Sequence, residues 1–128
     1  MSHQDIPDTW RSFCRRGRYR VRDQEASVLK CMLEDGAVVG YYSGFQLNPE
    51  LKETDAMYPS HDHLSGRNDD GNMVVDARFV NDMKTILSEQ EFWTMVEHLY
   101  AMGRRTGKIP EREASMLPAG WHPARDYA

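Results

Sequence analysis

The sequence predicts a single-domain α+β fold, and three observations lead to this prediction. At 128 residues the chain has the length of one domain of ordinary size. Hydrophobic residues make up 40% of it and charged residues 28%, which is typical of a globular protein with its own core. Segments with helical spacing of apolar residues alternate with short segments rich in β-formers. We therefore expect helices packed around a small sheet.

Two helices are expected in the N-terminal third. The first covers residues 8–16 and ends at Gly17, with an apolar face of Trp10, Phe13 and Cys14. The second covers residues 24–34, where apolar side chains at i, i+1, i+4 and i+5 favour an amphipathic helix. A β-hairpin about Asp35-Gly36 is the alternative for this region, because Asp-Gly is a strong turn dipeptide. We favour the helix.

The middle of the chain reads as short strands followed by a helix. Residues 37–45 are apolar and β-prone, and Asn48-Pro49 ends them. Strands are expected at 57–63 and 72–76, on either side of a polar turn at 65–71. A helix over residues 77–85 should follow, with Phe79, Val80 and Met83 facing inward.

The clearest helix start is Ser88, which forms an S-x-x-E capping box with Glu91. The helix that follows should end near Gly103. Its apolar residues recur at spacings of three and four, so we expect them to pack into the core: Phe92, Met95, Val96, Leu99 and Met102. From Ile109 onward, three prolines and little periodicity predict an irregular segment lying on the surface.

Charge is distributed unevenly along the chain. Residues 1–22 hold six arginines and two aspartates, a net +4, so the remaining residues carry −8. A local basic patch can attract phosphates even when the whole chain is acidic, although a solvated surface is the simpler interpretation. The sequence shows no apolar stretch long enough for a membrane span and no secretory signal. With two isolated cysteines, Cys14 and Cys31, a cytoplasmic protein is the simplest account.

The residues most suited to chemistry are His61-Asp62-His63. Two imidazoles and a carboxylate can bind a divalent metal or move protons, although a polar turn with solvated histidines would give the same pattern. In a strand, residues 61 and 63 share one face and Asp62 points to the other. Asn81 and Lys84 are three residues apart and share a face of the following helix, which could bring Asn81 close to Asp62 and His63.

This ordered set of residues resembles the HNH endonucleases, the ββα-metal nuclease family. The resemblance covers residues 41–45 (YYSGF) and 58–98. In that family an Asp-His pair ends the first strand, an Asn opens the second, and a His or Asn lies about nine positions later on a helix. Asp62-His63, Asn72 and Asn81 occupy those positions, and Lys84 fills a common Lys position. The resemblance implies a compact ββα-metal core with flanking helices, over residues 24–104.

The resemblance also implies roles for individual residues. His63 matches the general base that activates water, since a neutral imidazole with an ordinary pKa of about 6.5 accepts protons at neutral pH. Asp62 and Asn81 match the metal ligands, and their oxygen donors suit Mg²⁺ or Mn²⁺. Asn72 matches an Asn that fixes the loop and so orients the base. His61 is an additional ligand or proton carrier, as in the related endonuclease VII type.

The implied activity is metal-dependent hydrolysis of nucleic acid phosphodiester bonds. DNA is the expected substrate, and the sequence does not decide whether RNA is also cut. Lys84 is placed at the catalytic site, where it and Arg67 would contact phosphate. Residues 1–23 would form a basic arm whose arginines track the phosphate backbone: Arg15, Arg16, Arg18 and Arg20. No structural zinc is expected, because the chain lacks the paired C-x-x-C motifs of zinc-containing members. Residues 105–128 would form an irregular tail packed on the domain.

Three other functions remain open from the sequence. A degenerate domain of the same fold would bind a protein or nucleic acid without cutting it, as an inhibitor or adaptor. A metalloprotein unrelated to nucleic acid would use His61 and His63 as nitrogen ligands for Zn²⁺ or Ni²⁺. A structural protein with a solvated His-Asp-His turn would bind neither metal nor DNA. A homodimer or another protein partner is compatible with each of these functions.

Overall fold

The computed structural model describes residues 2–66 and 69–111 and has the expected α+β character. Short 3-10 turns at His3–Asp5 and Asp70–Asn72 accompany the main elements. These are α1 (Asp8–Arg16), α2 (Val21–Lys30), β1 (Pro59–His63), β2 (Met73–Ala77), α3 (Arg78–Lys84) and α4 (Glu89–Arg105). Every helix in this part of the chain is too short or too polar to span a lipid bilayer.

The N-terminal helices follow the sequence closely. α1 has the predicted bounds and buries the predicted face, and Asp8 and Arg16 lie at the ends where their charges complement the helix dipole. α2 begins three residues earlier than predicted and ends at Lys30. The chain then turns about Asp35-Gly36, where Met32 bridges Val38 in antiparallel fashion. The predicted helix and the turn of the alternative hairpin therefore both form, in succession.

Residues 37–45 do not form the expected continuous strand. Val39 bridges Gln46, and residues 41–43 form a turn that lies against β2 through a hydrogen bond from Tyr41 N to Val75 O (3.0 Å). The turn forms because the buried carboxylate of Asp76 accepts hydrogen bonds from its backbone, which competes with a ladder. The β-propensity of the segment is overridden by a single tertiary partner.

At the centre of the molecule, β1 and β2 form an antiparallel pair whose register runs from Pro59 opposite Ala77 to His63 opposite Met73. β2 is buried along its whole length, because α2 packs against the sheet and α3 folds back onto it. α3 follows β2 without a loop. The observed strands begin within two residues of their predicted positions. Strand, strand and helix thus come from one continuous stretch that also contains the polar cluster.

The inward faces of the last two helices differ from the prediction. In α3, Met83 is 60% exposed, whereas Asn81 and Lys84 are buried against the sheet. In α4 the capping box forms as expected, with Ser88 N donating to Glu91 Oε1 (2.9 Å). The helix continues two residues past Gly103.

The apolar row of α4 is the larger correction. Phe92 is buried and Val96 is partly buried, but Met95, Leu99 and Met102 are exposed and not in the core. The physical reason is that no described helix or strand packs extensively against α4, so its later turns leave the body of the domain.

Candidate functional site

The site lies at the end of β1, where strand geometry sends neighbouring side chains in opposite directions. Asp62 contacts Tyr42 and Lys84, while His63 contacts Tyr19 and Asp70 on the other side. This alternation is the one expected for consecutive residues of a strand. The predicted Asp-His pair therefore occupies two different environments joined by one peptide bond.

The carboxylate of Asp62 is held by two side chains. Lys84 Nζ lies 3.1 Å from Asp62 Oδ2, and the Tyr42 hydroxyl donates to the same oxygen at 2.7 Å. Lys84 is fully buried and also donates to the carbonyls of His63 (2.9 Å) and Leu87. Burial, together with the neighbouring Asp62 carboxylate, raises the pKa of Tyr42, so Tyr42 remains a hydrogen-bond donor. The predicted phosphate-contacting residue Lys84 is thus engaged inside the protein.

Asn81 reaches β1 from the same face of α3. Its Nδ2 donates to Ser60 O at 2.6 Å, which fixes the direction of the amide. Its Oδ1 is buried and has no hydrogen-bond partner among the residues that the structure describes. A buried polar atom without a partner is unusual in native proteins and is compatible with a site for a further ligand.

His63 is paired with a residue that the sequence analysis did not assign to the site. Its Nε2 lies 2.8 Å from Asp70 Oδ1, and the ring of Tyr19 packs edge-on against it. An ionised carboxylate accepts a hydrogen bond from Nε2–H, so the lone pair of a neutral His63 is on Nδ1. The imidazole side chain is 14% exposed and Asp70 is 39% exposed, so the pair borders solvent.

His61 is separated from the Asp62 carboxylate and lies among aromatic side chains. Its Nδ1 is 2.5 Å from Ser27 Oγ, and the Ser27 hydroxyl donates to Gln24 O at 2.8 Å. This arrangement places the ring proton on Nδ1. Burial, and secondarily the nearby His63, lowers the pKa of His61 to about 4, so the ring is neutral at neutral pH. The ring contacts Phe13 and Tyr19 and has the surroundings of a core histidine.

Asn72 lies where the turn enters β2. Its carbonyl accepts a hydrogen bond from Leu64 N (3.2 Å) and its amide donates to Asp69 O (3.0 Å). These backbone bonds close the loop between the two strands. The side chain is exposed.

Two clefts border the site, and they share a wall formed by Arg18 and Tyr19. The first, of about 210 Å³, is lined by these two residues together with Asp62 and His63. The second, of about 260 Å³, lies towards the start of β1 beside Ser60 and contains further arginines at its edge: Arg16 and Arg78.

Two of the predicted nucleic-acid-binding arginines, Arg16 and Arg18, line the clefts directly. Arg15, Arg16, Arg18 and Arg20 are exposed around the end of α1 and the following turn, so their guanidinium groups are available to a ligand. Arg18 also donates to the Tyr19 hydroxyl at 2.8 Å and lies over the Tyr19 ring. Arg67 lies outside the described residues.

Asp76 is the second residue that the sequence analysis did not identify. Its buried carboxylate accepts hydrogen bonds from Tyr42 N (2.7 Å), Ser43 N (2.9 Å) and Ser43 Oγ (2.7 Å). Asp76 thereby places the YYSGF segment over the sheet, which brings the Tyr42 hydroxyl to Asp62. The signal in the sequence was a single Asp in an otherwise apolar strand, where an unpartnered carboxylate would be costly.

Two oxygen donors at the site, from Asp62 and Asn81, bear on whether it could hold a metal ion. Within residues 2–66 and 69–111 there is no group of three or more His, Cys, Asp or Glu side chains that could hold one. The carboxylate of Asp62 and the partnerless amide oxygen of Asn81 are hard oxygen donors, and these fit Mg²⁺ or Mn²⁺ better than Zn²⁺. Comparison of the chain with protein-family models, with characterised proteins and with solved structures finds no match.

Proposed function

We propose that this protein is a metal-dependent endonuclease that hydrolyses nucleic acid phosphodiester bonds, with DNA as its main substrate. The observation that carries the proposal is the His63–Asp70 pair at a cleft that Asp62 also lines. A histidine oriented by a carboxylate, beside a second carboxylate and next to exposed arginines, is a set suited to phosphate-ester hydrolysis.

His63 is the general base of the proposed reaction. Asp70 accepts a hydrogen bond from Nε2–H, so the lone pair on Nδ1 receives the proton of the attacking water. As that proton arrives, the ring becomes an imidazolium, and the Asp70 carboxylate stabilises the new charge. Asp70 is therefore a positioning residue, since it acts on the water through His63.

Asp62 and Asn81 would hold the metal ion. When bound, Mg²⁺ or Mn²⁺ supplies positive charge that offsets the charge developing on the phosphate. Lys84 limits this affinity, because its ammonium group already neutralises one oxygen of Asp62. Tyr42 and Lys84 both hold Oδ2, so they keep the carboxylate in one orientation.

The substrate strand is expected to cross the wall between the two clefts. Arg18 borders both of them, and Arg16 and Arg78 border the second, so a backbone phosphate on either side of the cleavage point would meet a guanidinium group. Arg18 lies over the ring of Tyr19, which lines both clefts and offers aromatic surface to an unpaired base. Charge and aromatic groups together favour a nucleic acid over a small anion.

The test is a plasmid-nicking assay with wild type, His63→Ala and His98→Ala. His98 is an exposed histidine on α4 and serves as the matched control. Nicking should require Mg²⁺ or Mn²⁺, stop in excess chelator, be lost in His63→Ala and be unchanged in His98→Ala. Wild type that nicks under no metal condition, or His63→Ala that nicks like wild type, would remove the catalytic proposal.

A binding module without catalysis is the second candidate, and the Lys84–Asp62 ion pair favours it. A buried ammonium group that already neutralises Asp62 reduces the attraction of the site for a divalent cation. This candidate predicts salt-dependent DNA affinity that is equal with metal and with chelator, and no nicking. Fluorescence anisotropy of a labelled duplex, measured with wild type and Arg18→Ala, tests for that affinity.

A further inference from the structure

α4 presents a row of exposed apolar side chains along the turns that leave the domain. Met95 is 47% exposed, Leu99 56% and Met102 36%. Their spacings of four and three residues place them in one row along the helix. Trp93 (44% exposed) and Tyr100 (58% exposed) are also accessible, but helical spacing places them on a different face of α4 from this row. An apolar row of this length, on a helix against which no described helix or strand packs extensively, is typical of an interaction surface.

The charges at the two ends of α4 are of opposite sign. Glu89 and Glu91 are in the first turn, and Arg104 and Arg105 are in the last. A second copy of the helix that ran parallel would bring like charges together at both ends. An antiparallel copy would bring the acidic end of each helix to the basic end of the other.

We propose that α4 pairs antiparallel with α4 of a second copy of the chain, through the row Met95, Leu99 and Met102. The two-fold axis lies close to Leu99, and a two-fold interface uses the same surface on both chains. Met95 then faces Met102 of the partner subunit, because these two residues are nearly equidistant from the axis. The apolar row is thereby buried against itself.

The side charges support this alignment. Glu91 and Arg105 are 14 residues apart, close to four helical turns, so they lie on the same side of the apolar row. In an antiparallel two-fold pair, the same side of each helix meets its copy. Glu91 therefore lies near Arg105 of the partner subunit, and the contact occurs twice. The order of charges on this helix thus complements a second, antiparallel copy of itself.

The proposal does not rest on nuclease activity, since it uses residues outside the site at the end of β1. α4 has 17 residues and is about 25 Å long, and its first turns are packed on its own domain. The paired region is therefore short, and we expect a reversible dimer with a dissociation constant on the order of micromolar.

The experiment is sedimentation equilibrium of the full chain over a range of concentrations, with Leu99→Asp and Ala101→Asp. Both substitutions place a carboxylate on an exposed position of the same helix, and Ala101 faces away from the row. Wild type and Ala101→Asp should dimerise alike, and Leu99→Asp should weaken dimerisation by about 100-fold. Circular dichroism of the three proteins checks that each is folded.

A crosslink distinguishes this pairing from other dimers. Cys14 and Cys31 are buried, so a cysteine introduced at an exposed position is the reactive thiol. Leu99→Cys lies near the two-fold axis and should form an intermolecular disulfide under mild oxidation, whereas Ala101→Cys should not. The proposal would be overturned by any of three results: a wild-type chain that is monomeric at every concentration, a dimer unaffected by Leu99→Asp, or equal crosslinking of the two cysteine variants. A monomeric wild type would be the result if another segment of the chain covers the row.

Discussion

The ammonium group of Lys84 lies 3.1 Å from Asp62 Oδ2, and the Lys84 side chain is inaccessible to solvent. The same ammonium group donates to the carbonyls of His63 and Leu87, so one cation joins the end of β1 to the segment between α3 and α4. Each of its three protons has an acceptor, which is the condition under which a buried lysine can stay charged. The ion pair therefore organises the site as well as neutralising it.

Removal of this cation should strongly destabilise the fold. Lys84→Met leaves the Asp62 carboxylate and two carbonyl groups without their donor, and we expect the free energy of unfolding to fall by about 3 kcal/mol. The double variant Asp62→Asn/Lys84→Met should recover part of this loss, because no unpaired charge remains. Urea denaturation of Lys84→Met, Asp62→Asn and the double variant measures the effect, with exposed Lys108→Met as the control. A loss in the double variant as large as the sum of the single losses would show that the two side chains do not interact.

Replacement of Gly66 by alanine should distort the turn after β1. Gly66 has φ +73°, and a Cβ built on it would lie 2.1 Å from Ile86 O, a backbone atom that has little freedom to move. We expect Gly66→Ala to lower the free energy of unfolding by about 3 kcal/mol. Gly71→Ala is the matched control, since its Cβ would meet its nearest neighbour at an ordinary 3.6 Å. Equal stability of the two variants in thermal denaturation would contradict this explanation of the turn.

The buried ring of His61 should make the protein less stable in mild acid. Burial lowers the pKa of His61 to about 4 from 6.5, so the unfolded chain binds this proton at a higher pH than the folded one. The contribution of the neutral His61 ring to the free energy of unfolding is fully present above pH 6.5. It is lost as the pH falls towards 4, by up to about 3 kcal/mol. Urea denaturation at several pH values measures the slope. His61→Asn should flatten it, and His98→Ala should leave it unchanged.

Asp70 should matter for the rate of cleavage and not for affinity, if His63 is the base. In Asp70→Asn the carboxylate that holds the Nε2 proton becomes a neutral amide, so the ring can turn or take the other tautomer. We expect a fall of about 10-fold or more in the metal-dependent nicking rate, with unchanged DNA affinity. Its neighbour Asp69→Asn, at an exposed position, is the control. Equal rates for the two variants would exclude Asp70 from a positioning role.

Local patterns predicted most of the fold. The bounds and apolar face of α1, the capping box of α4 and the placement of Asp62 and His63 at the end of a strand all follow from short-range rules. The common face of Asn81 and Lys84 also follows from helical spacing, and both side chains reach β1. These features depend on residues only a few positions apart in the sequence.

What could not be predicted depends on partners that are distant in the sequence. Met83 was expected to face inward and Lys84 to contact phosphate, but Met83 is exposed and Lys84 is buried, because Asp62, more than 20 residues away in the sequence, provides its counter-charge. The burial of Asp76 could not be predicted for the same reason, since its hydrogen-bond donors come from the distant YYSGF segment. The exposed row of α4 has the spacing of a core helix, and spacing alone does not distinguish the core of a domain from an interface between chains.

The carboxylate of Asp76 also bears on how such a protein can diverge. Among its hydrogen-bond donors, Tyr42, Ser43 and Ala77 each contribute a main-chain N–H, which any residue other than proline supplies. Gly40 is constrained, because a Cβ there would lie 2.3 Å from Asp76 Oδ1. Two positions, one acidic and one glycine, thus hold the loop, and many different sequences could keep its shape. Relatives with the same architecture could therefore share so few identical residues that only their backbone traces would reveal the kinship.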